Sequence, residues 1–203
     1  MHLHLVTDRS LTLGRSLIDI IRAAVAGGVS AVQLREKSCS TRDFIELAQS
    51  AAKELQGRVP LIINDRIDVA LAIGADGIHI GQSDMPYEMA RELMGPQALI
   101  GLSVETVEQA QKAEGLNVDY LGLSPVFTTA TKSDIAPPLG LAGVRQIRAE
   151  SRHQLVAIGG INQENAHEVV AAGADGLAVV SAICSANDPQ KAARELSYGI
   201  ISQ

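Results

Sequence analysis

Residues 61–70 read Leu-Ile-Ile-Asn-Asp-Arg-Ile-Asp-Val-Ala, and the fold turns on how they divide. Behind Pro60, Leu61-Ile62-Ile63 is a run of apolar strand formers of the kind that a parallel sheet buries on both faces. It stops at Asn64 and Asp65, and helix-like residues follow at once with Val69, Ala70 and Leu71. A strand that hands over to a helix at a carboxylate is half of a βα unit. The layout recurs, with other polar residues at the handover, in V-Q-L-R-E-K, H-I-G-Q-S-D, I-G-L-S, S-P-V-F-T-T-A-T-K, A-I-G-G and V-V-S.

Working outward, strand candidates fall at 4–6, 31–35, 61–64, 77–81, 99–103, 120–124, 155–159 and 176–181. Each precedes a segment with helical apolar spacing, such as Phe44, Ile45, Leu47, Ala48, Ala51, Ala52 and Leu55. A repeat supports the count: G-A-D-G-I-H-I at Gly74 returns as G-A-D-G-L-A-V at Gly173, with a looser copy, G-G-V-S-A-V-Q-L, at Gly27. Eight strands alternating with eight helices predict an α/β protein, a single-domain (β/α)8 TIM barrel over residues 1–203; an open doubly wound sheet is the structural alternative.

Composition narrows the class. The chain has 203 residues, 46% hydrophobic, with two Phe, three Tyr and no Trp, so its core is aliphatic. A formal charge of −6 without an offsetting basic run argues against nucleic-acid binding. No apolar run reaches membrane-spanning length, and the first residues read as a strand and not as a signal peptide. Cys39 and Cys184 match no metal-ligand spacing and read as reduced thiols, which points to the cytoplasm.

In a closed parallel barrel the active site lies at the C-terminal ends of the strands, where these polar residues fall. Side-chain alternation puts Gln33, Arg35 and Lys37 on one side, at the mouth. A solvated rim would account for Lys37, but an Arg within a strand pattern calls for an anionic partner. Asp65 and Asp84 stand at the ends of strands three and four. They fit a shared Mg²⁺, or helix caps; from the pattern the two readings stand level. Asp68 reads as a helix-surface residue. After strand six, Thr129, Thr131 and Lys132 open a long Pro-rich loop of the functional kind. Gly159-Gly160 and Val180-Ser181 follow strands seven and eight, the two loops from which barrels often build a phosphate site, so a side chain at 160 is expected to fill space meant for a phosphate oxygen. The five histidines read as structural or surface residues, His79 as a satisfied strand residue.

Taken in order, Q-L-R-E-K, I-I-N-D-R-I-D-V-A-L-A-I-G-A-D-G-I-H-I-G-Q-S-D-M-P, S-P-V-F-T-T-A-T-K with P-P-L-G-L, V-A-I-G-G-I and G-A-D-G-L-A-V-V-S-A-I resemble the thiamine phosphate synthase family of (β/α)8 enzymes, from about the first strand to the last helix. The resemblance implies a transferase of thiamine biosynthesis. It would join 4-amino-2-methyl-5-(diphosphooxymethyl)pyrimidine to a thiazole phosphate, giving thiamine phosphate and diphosphate, with Mg²⁺ as cofactor. By the same resemblance Gln33, Arg35, Lys37 and Asn64 would bind the pyrimidine diphosphate, Asp65 and Asp84 would hold Mg²⁺, and Ser103 and Lys132 would contact the pyrimidine. Thr129, Thr131, Gly160, Val180 and Ser181 would bind the thiazole phosphate; Lys132, Arg35 and Ser103 would carry the chemistry. Three positions depart from the family pattern: Glu105 where His is common, Thr128 where Pro usually stands, and Ser124 in place of a frequent Gly. Two rivals are a thiazole tautomerase-like paralogue, whose sixth-strand His has no counterpart in Ser124-Pro125-Val126, and a non-catalytic barrel that binds a phosphate ligand.

Overall fold

In the computed structural model, which describes residues 2–129 and 136–201, eight parallel strands pair in chain order and the last closes on the first. The strands are β1 (Leu3–Val6), β2 (Ala31–Leu34), β3 (Leu61–Asn64), β4 (Gly77–Ile80), β5 (Leu99–Val104), β6 (Tyr120–Leu123), β7 (Leu155–Ile158) and β8 (Gly176–Val179). Between them run α1 (Leu17–Ala26), α2 (Thr41–Leu55), α3 (Ile67–Ile73), α4 (Tyr87–Met94), α5 (Val107–Ala113), α6 (Gly140–Glu150) and α7 (Ala166–Ala171); α8 (Ser181–Cys184) and α9 (Pro189–Ile201) follow the last strand. The closed (β/α)8 barrel is the expected one, and the open sheet is excluded by the register of Leu3, His4 and Leu5 against Leu177, Ala178 and Val179.

Alternation along each strand splits the buried residues in two. Leu5, Val32, Ile63, Ile78 and their equivalents face outward into the layer beneath the helices. Val6, Ala31, Ile62, Tyr120, Val156 and Ala178 form a separate inner cluster, the packed interior of the barrel. Helix α2 meets the outer layer with Phe44, Ala48, Ala51 and Leu55, one stripe at helical spacing, and Ser40 caps it by accepting the Asp43 N–H at 3.1 Å. Burying Phe44 contributes about 1.5–3 kcal/mol.

The sequence repeat has a physical meaning at the N-terminal ends of the strands. Asp76, just before β4, accepts the first N–H of β3 (Leu61) at 2.8 Å, and Asp175, before β8, does the same for Leu155 of β7 at 2.8 Å. Ser30 in the looser copy takes the Leu3 N–H at 3.1 Å. A fourth member comes from N-V-D-Y, where Asp119 holds the Ile100 N–H at 2.7 Å. Every even strand is thus preceded by a side chain that satisfies an N–H at the start of the odd strand before it.

Two details differ from the sequence reading. The strands expected to reach 35, 81, 124, 159 and 181 stop earlier, because the residues after them turn into mouth loops; Gly159, at φ 106°, has already left the extended region. Among the described residues there is also more helix than eight elements: a 3-10 turn over Arg9–Leu11, capped by Asp8, and the four-residue α8. No helix among the described residues is long and apolar enough to cross a membrane.

Candidate active site

The C-terminal ends of the strands surround a cavity of about 740 Å³. Gln33, Arg35, Lys37, Asn64, Asp65, Asp84, Ser103, Thr129, Gly160, Val180 and Ser181 all line it, so the sequence-predicted residues from seven of the eight strand ends or the loops beyond them meet in one place. Thr131 and Lys132 lie outside the described residues.

The β2 end carries the cations. Gln33 faces inward and is nearly buried. Arg35, two residues on, is steadied through its backbone N–H, which donates to the buried Thr7 hydroxyl at 3.0 Å. Its guanidinium lies 3.7 Å from Asp8, whose other carboxylate oxygen is held by Ser10, so the arginine finds the anionic partner that its burial demands. Lys37 reaches across to the Asp65 carboxylate.

Asp65 stands at φ 60°, and its N–H still pairs with the His79 carbonyl of β4 at 2.9 Å. The left-handed backbone turns the chain off the strand while keeping its side chain at the cavity. Asp84 is anchored by the Gly81 N–H at 2.6 Å. Neither aspartate caps a helix: the N-cap position is Arg66 for α3 and Pro86 for α4, and neither helix has a side-chain cap. The capping alternative is thereby removed. Burial raises the Asp84 carboxyl above its usual range, and the adjacent Asp65 carboxylate adds to this against the pull of the Gly81 N–H and Lys37. Two carboxylates that repel each other at a cavity wall, both free of capping duty, are a donor set suited to a hard divalent cation. Among the described residues no group of three or more His, Cys, Asp and Glu is placed to hold a metal ion, so such an ion would take its remaining ligands from substrate and water.

On the opposite side, Gly159 and Gly160 adopt φ 106° and 64°, conformations that favour glycine. The Gly160 carbonyl is tied to Asn165 at 2.9 Å, and the end of α8 is tied by Arg15, which donates to the carbonyls of Cys184 (2.8 Å) and Ala186 (2.7 Å). A Cβ built on Gly160 would lie 2.7 Å from the Thr128 carbonyl oxygen and 2.9 Å from Phe127 Cβ. It would strike the β6 loop, which corrects the expectation that it would intrude on the ligand.

Sequence reasoning missed the polar residues lower in the cavity. His79 bridges Tyr120 Oη (2.9 Å) and Ser103 Oγ (2.8 Å), and so is satisfied as expected, but it also lines the cavity. Tyr120 is fully buried beneath it. The available signal was the glycines: Gly101 and Gly122 occupy inward positions beside these rings. Asp68 is a surface residue paired with Arg66, as read.

Comparison with known proteins follows the same lines. A family model described as thiamine monophosphate synthase matches residues 3–183. A thiamine-phosphate synthase of Albidiferax ferrireducens is 57% identical over 97% of this chain and 90% of its own length. One from Syntrophomonas wolfei is 53% identical over 96% and 93%. Among solved structures, a thiamine phosphate pyrophosphorylase from Pyrococcus furiosus superposes with a TM-score of 0.90 at 39% identity, over 99% of this chain and 96% of that one.

Proposed function

The chain belongs to the thiamine monophosphate synthase family, and from that premise we propose how its cavity carries out the family's reaction. It is a transferase that condenses 4-amino-2-methyl-5-(diphosphooxymethyl)pyrimidine with thiazole phosphate to give thiamine phosphate and diphosphate. The observation that supports the assignment of roles is the pair Asp65 and Asp84, facing one cavity beside Arg35 and Lys37 and capping no helix.

The bond to break joins a CH₂ to diphosphate, so charge separates into an anion and a cation spread over an electron-rich ring. Arg35 and Lys37, joined by Lys132 on the family resemblance, hold the diphosphate and are worth most as its charge develops. Asp65 and Asp84 would hold Mg²⁺, which would supply positive charge to stabilise the leaving diphosphate. Gln33, Asn64 and Ser103 orient the pyrimidine with its CH₂ toward the thiazole. Thr129, Gly160, Val180 and Ser181 hold the thiazole phosphate on the far side, the placement barrels favour for phosphate, and Thr131 is assigned to the same ligand by the family resemblance. The thiazole nitrogen attacks with its lone pair and carries no proton, so no general base is needed. This accounts for a cavity without a Ser-His-Asp or Cys-His pair among its described lining residues. Residues 1–203 act as one barrel domain, and the free thiols of Cys39 and Cys184 support a cytoplasmic setting.

Purified protein incubated with both substrates and Mg²⁺ should release one diphosphate per thiamine phosphate formed, and chelation should stop it. Release of diphosphate without the thiazole substrate, or turnover undiminished in chelator, would overturn the assignment of roles.

A further inference from the structure

Below the substrate-facing rim, three side chains from three strands form a connected line: Tyr120 Oη to His79 Nδ1 at 2.9 Å, and His79 Nε2 to Ser103 Oγ at 2.8 Å. We propose that Tyr120 and His79 are positioning residues that fix the direction of the Ser103 hydroxyl, committing it to donate a hydrogen bond to a ring nitrogen of the pyrimidine. The inference rests on the placement of the pyrimidine at Ser103.

The direction follows from the acidity of the partners. A phenol is a stronger acid than an imidazole N–H, and an imidazole nitrogen is a stronger base than a phenol oxygen, so the Tyr120 proton points at His79 Nδ1. Complete burial holds that proton on Tyr120 by raising its pKa further. With Nδ1 accepting, the neutral ring carries its hydrogen on Nε2 and gives it to Ser103 Oγ. The serine hydrogen is then left to point into the cavity. The opposite tautomer would make Ser103 an acceptor suited to the exocyclic amino group, so the relay decides which edge of the ring is read.

The imidazole is also held in place. It stacks on the Tyr120 ring at 5.5 Å with the planes 28° apart. A Cβ at Gly101 would lie 2.6 Å from His79 Nδ1, and one at Gly122 would lie 2.8 Å from His79 Cε1, so backbone closes on the ring where side chains would not fit. A neutral relay places no added positive charge beside the ring on which the cation forms.

Nitrogen NMR of ring-labelled histidine should find His79 protonated on Nε2 in the wild-type enzyme. Tyr120→Phe should lose that preference and lower kcat/KM for the pyrimidine diphosphate by on the order of tenfold, with KM for the thiazole phosphate unchanged. His79→Gln, whose amide can place an N–H near the Nε2 position, should recover most of the activity that His79→Leu loses. Two deaza substrates, each lacking one ring nitrogen, probe the folded wild-type enzyme directly: one should be used about tenfold less well, and Ser103→Ala should abolish the discrimination. If Ser103→Ala leaves use of the pyrimidine diphosphate unchanged, the placement of the pyrimidine fails and the inference with it. A Ser103-dependent reaction with the proton on His79 Nδ1, or with no deaza discrimination, would overturn the relay alone.

Discussion

His4 sits in the middle of β1 with its ring turned into the barrel, and its response to acid is calculable. The residue is 0% exposed, its ring packs edge to face with Tyr120 with the centroids 5.3 Å apart, and neither ring nitrogen has a hydrogen-bond partner among the described residues. Burial, aided by nearby positive charge, lowers its pKa to about 3 from the ordinary 6.5. The unfolded chain therefore takes up a proton below about pH 6.5 that the folded chain refuses until about pH 3. Stability from this source is complete above the unfolded value and declines as pH falls toward the folded one, at about 1.4 kcal/mol per pH unit. At pH 5 the cost is about 2 kcal/mol. His4→Leu removes the titration, and with it two buried polar atoms that cost about 1–3 kcal/mol while unpaired. Urea unfolding of both proteins, followed by circular dichroism at pH 7.5, 6 and 5, should show the variant gaining on the wild type as the pH falls. In melting temperature the gain at pH 5 is about 4–8 °C relative to pH 7.5. Parallel stability curves, with a constant difference between the two proteins across this range, would refute the burial argument.

The proposed Mg²⁺ role of Asp65 and Asp84 predicts that Asp84→Asn lowers Mg²⁺-supported turnover by at least about a hundredfold while the melting temperature changes little, because the residue lies at the cavity wall and outside the core; steady-state rates against Mg²⁺ concentration check it. Asp119→Ala should do the reverse: it strands the Ile100 N–H and should cost about 1–3 kcal/mol in urea unfolding with kcat unchanged, since the bond lies at the end of the barrel away from the cavity. Phe44→Ala, emptying a fully buried position under α2, should cost about 3–5 kcal/mol by the same measurement.

The strands were legible because an eight-stranded parallel barrel needs short runs buried on both sides, and Leu61-Ile62-Ile63 or Leu155-Val156-Ala157 are written that way. The charged half of the cavity was legible too, since Arg35, Lys37, Asp65 and Asp84 follow closely on such runs. Contacts that depend on neighbouring strands were not. Asp119 performs the same task as Asp76 and Asp175, but N-V-D-Y lacks the flanking Gly-Ala that made the repeat visible. His79 and Tyr120 are 41 residues apart and meet only because the register sets His79 beside Gly101 and Gly101 beside Tyr120. A single strand read alone has an inward histidine and nothing to say what it touches.

Gly160 marks the limit of reading a loop from its sequence. As a string, Gly-Gly after a strand suggests room for an anion, and the inference that a side chain would compete with phosphate follows naturally. The backbone directs the missing Cβ elsewhere, to Phe127 and the Thr128 carbonyl, so this glycine is first of all where the β7 loop packs against the β6 loop. Thr129 follows directly on that contact and lines the cavity. A substituent at 160 would therefore have to move the β6 loop as well as force a non-glycine residue to φ 64°, and in the proposed phosphate site any loss of affinity would come through Thr129 as much as through the Gly160 amide. The two loops form one wall: the β7 turn, which accepts the Phe127 N–H at the Gly159 carbonyl, gives the β6 loop the surface from which Thr129 is placed.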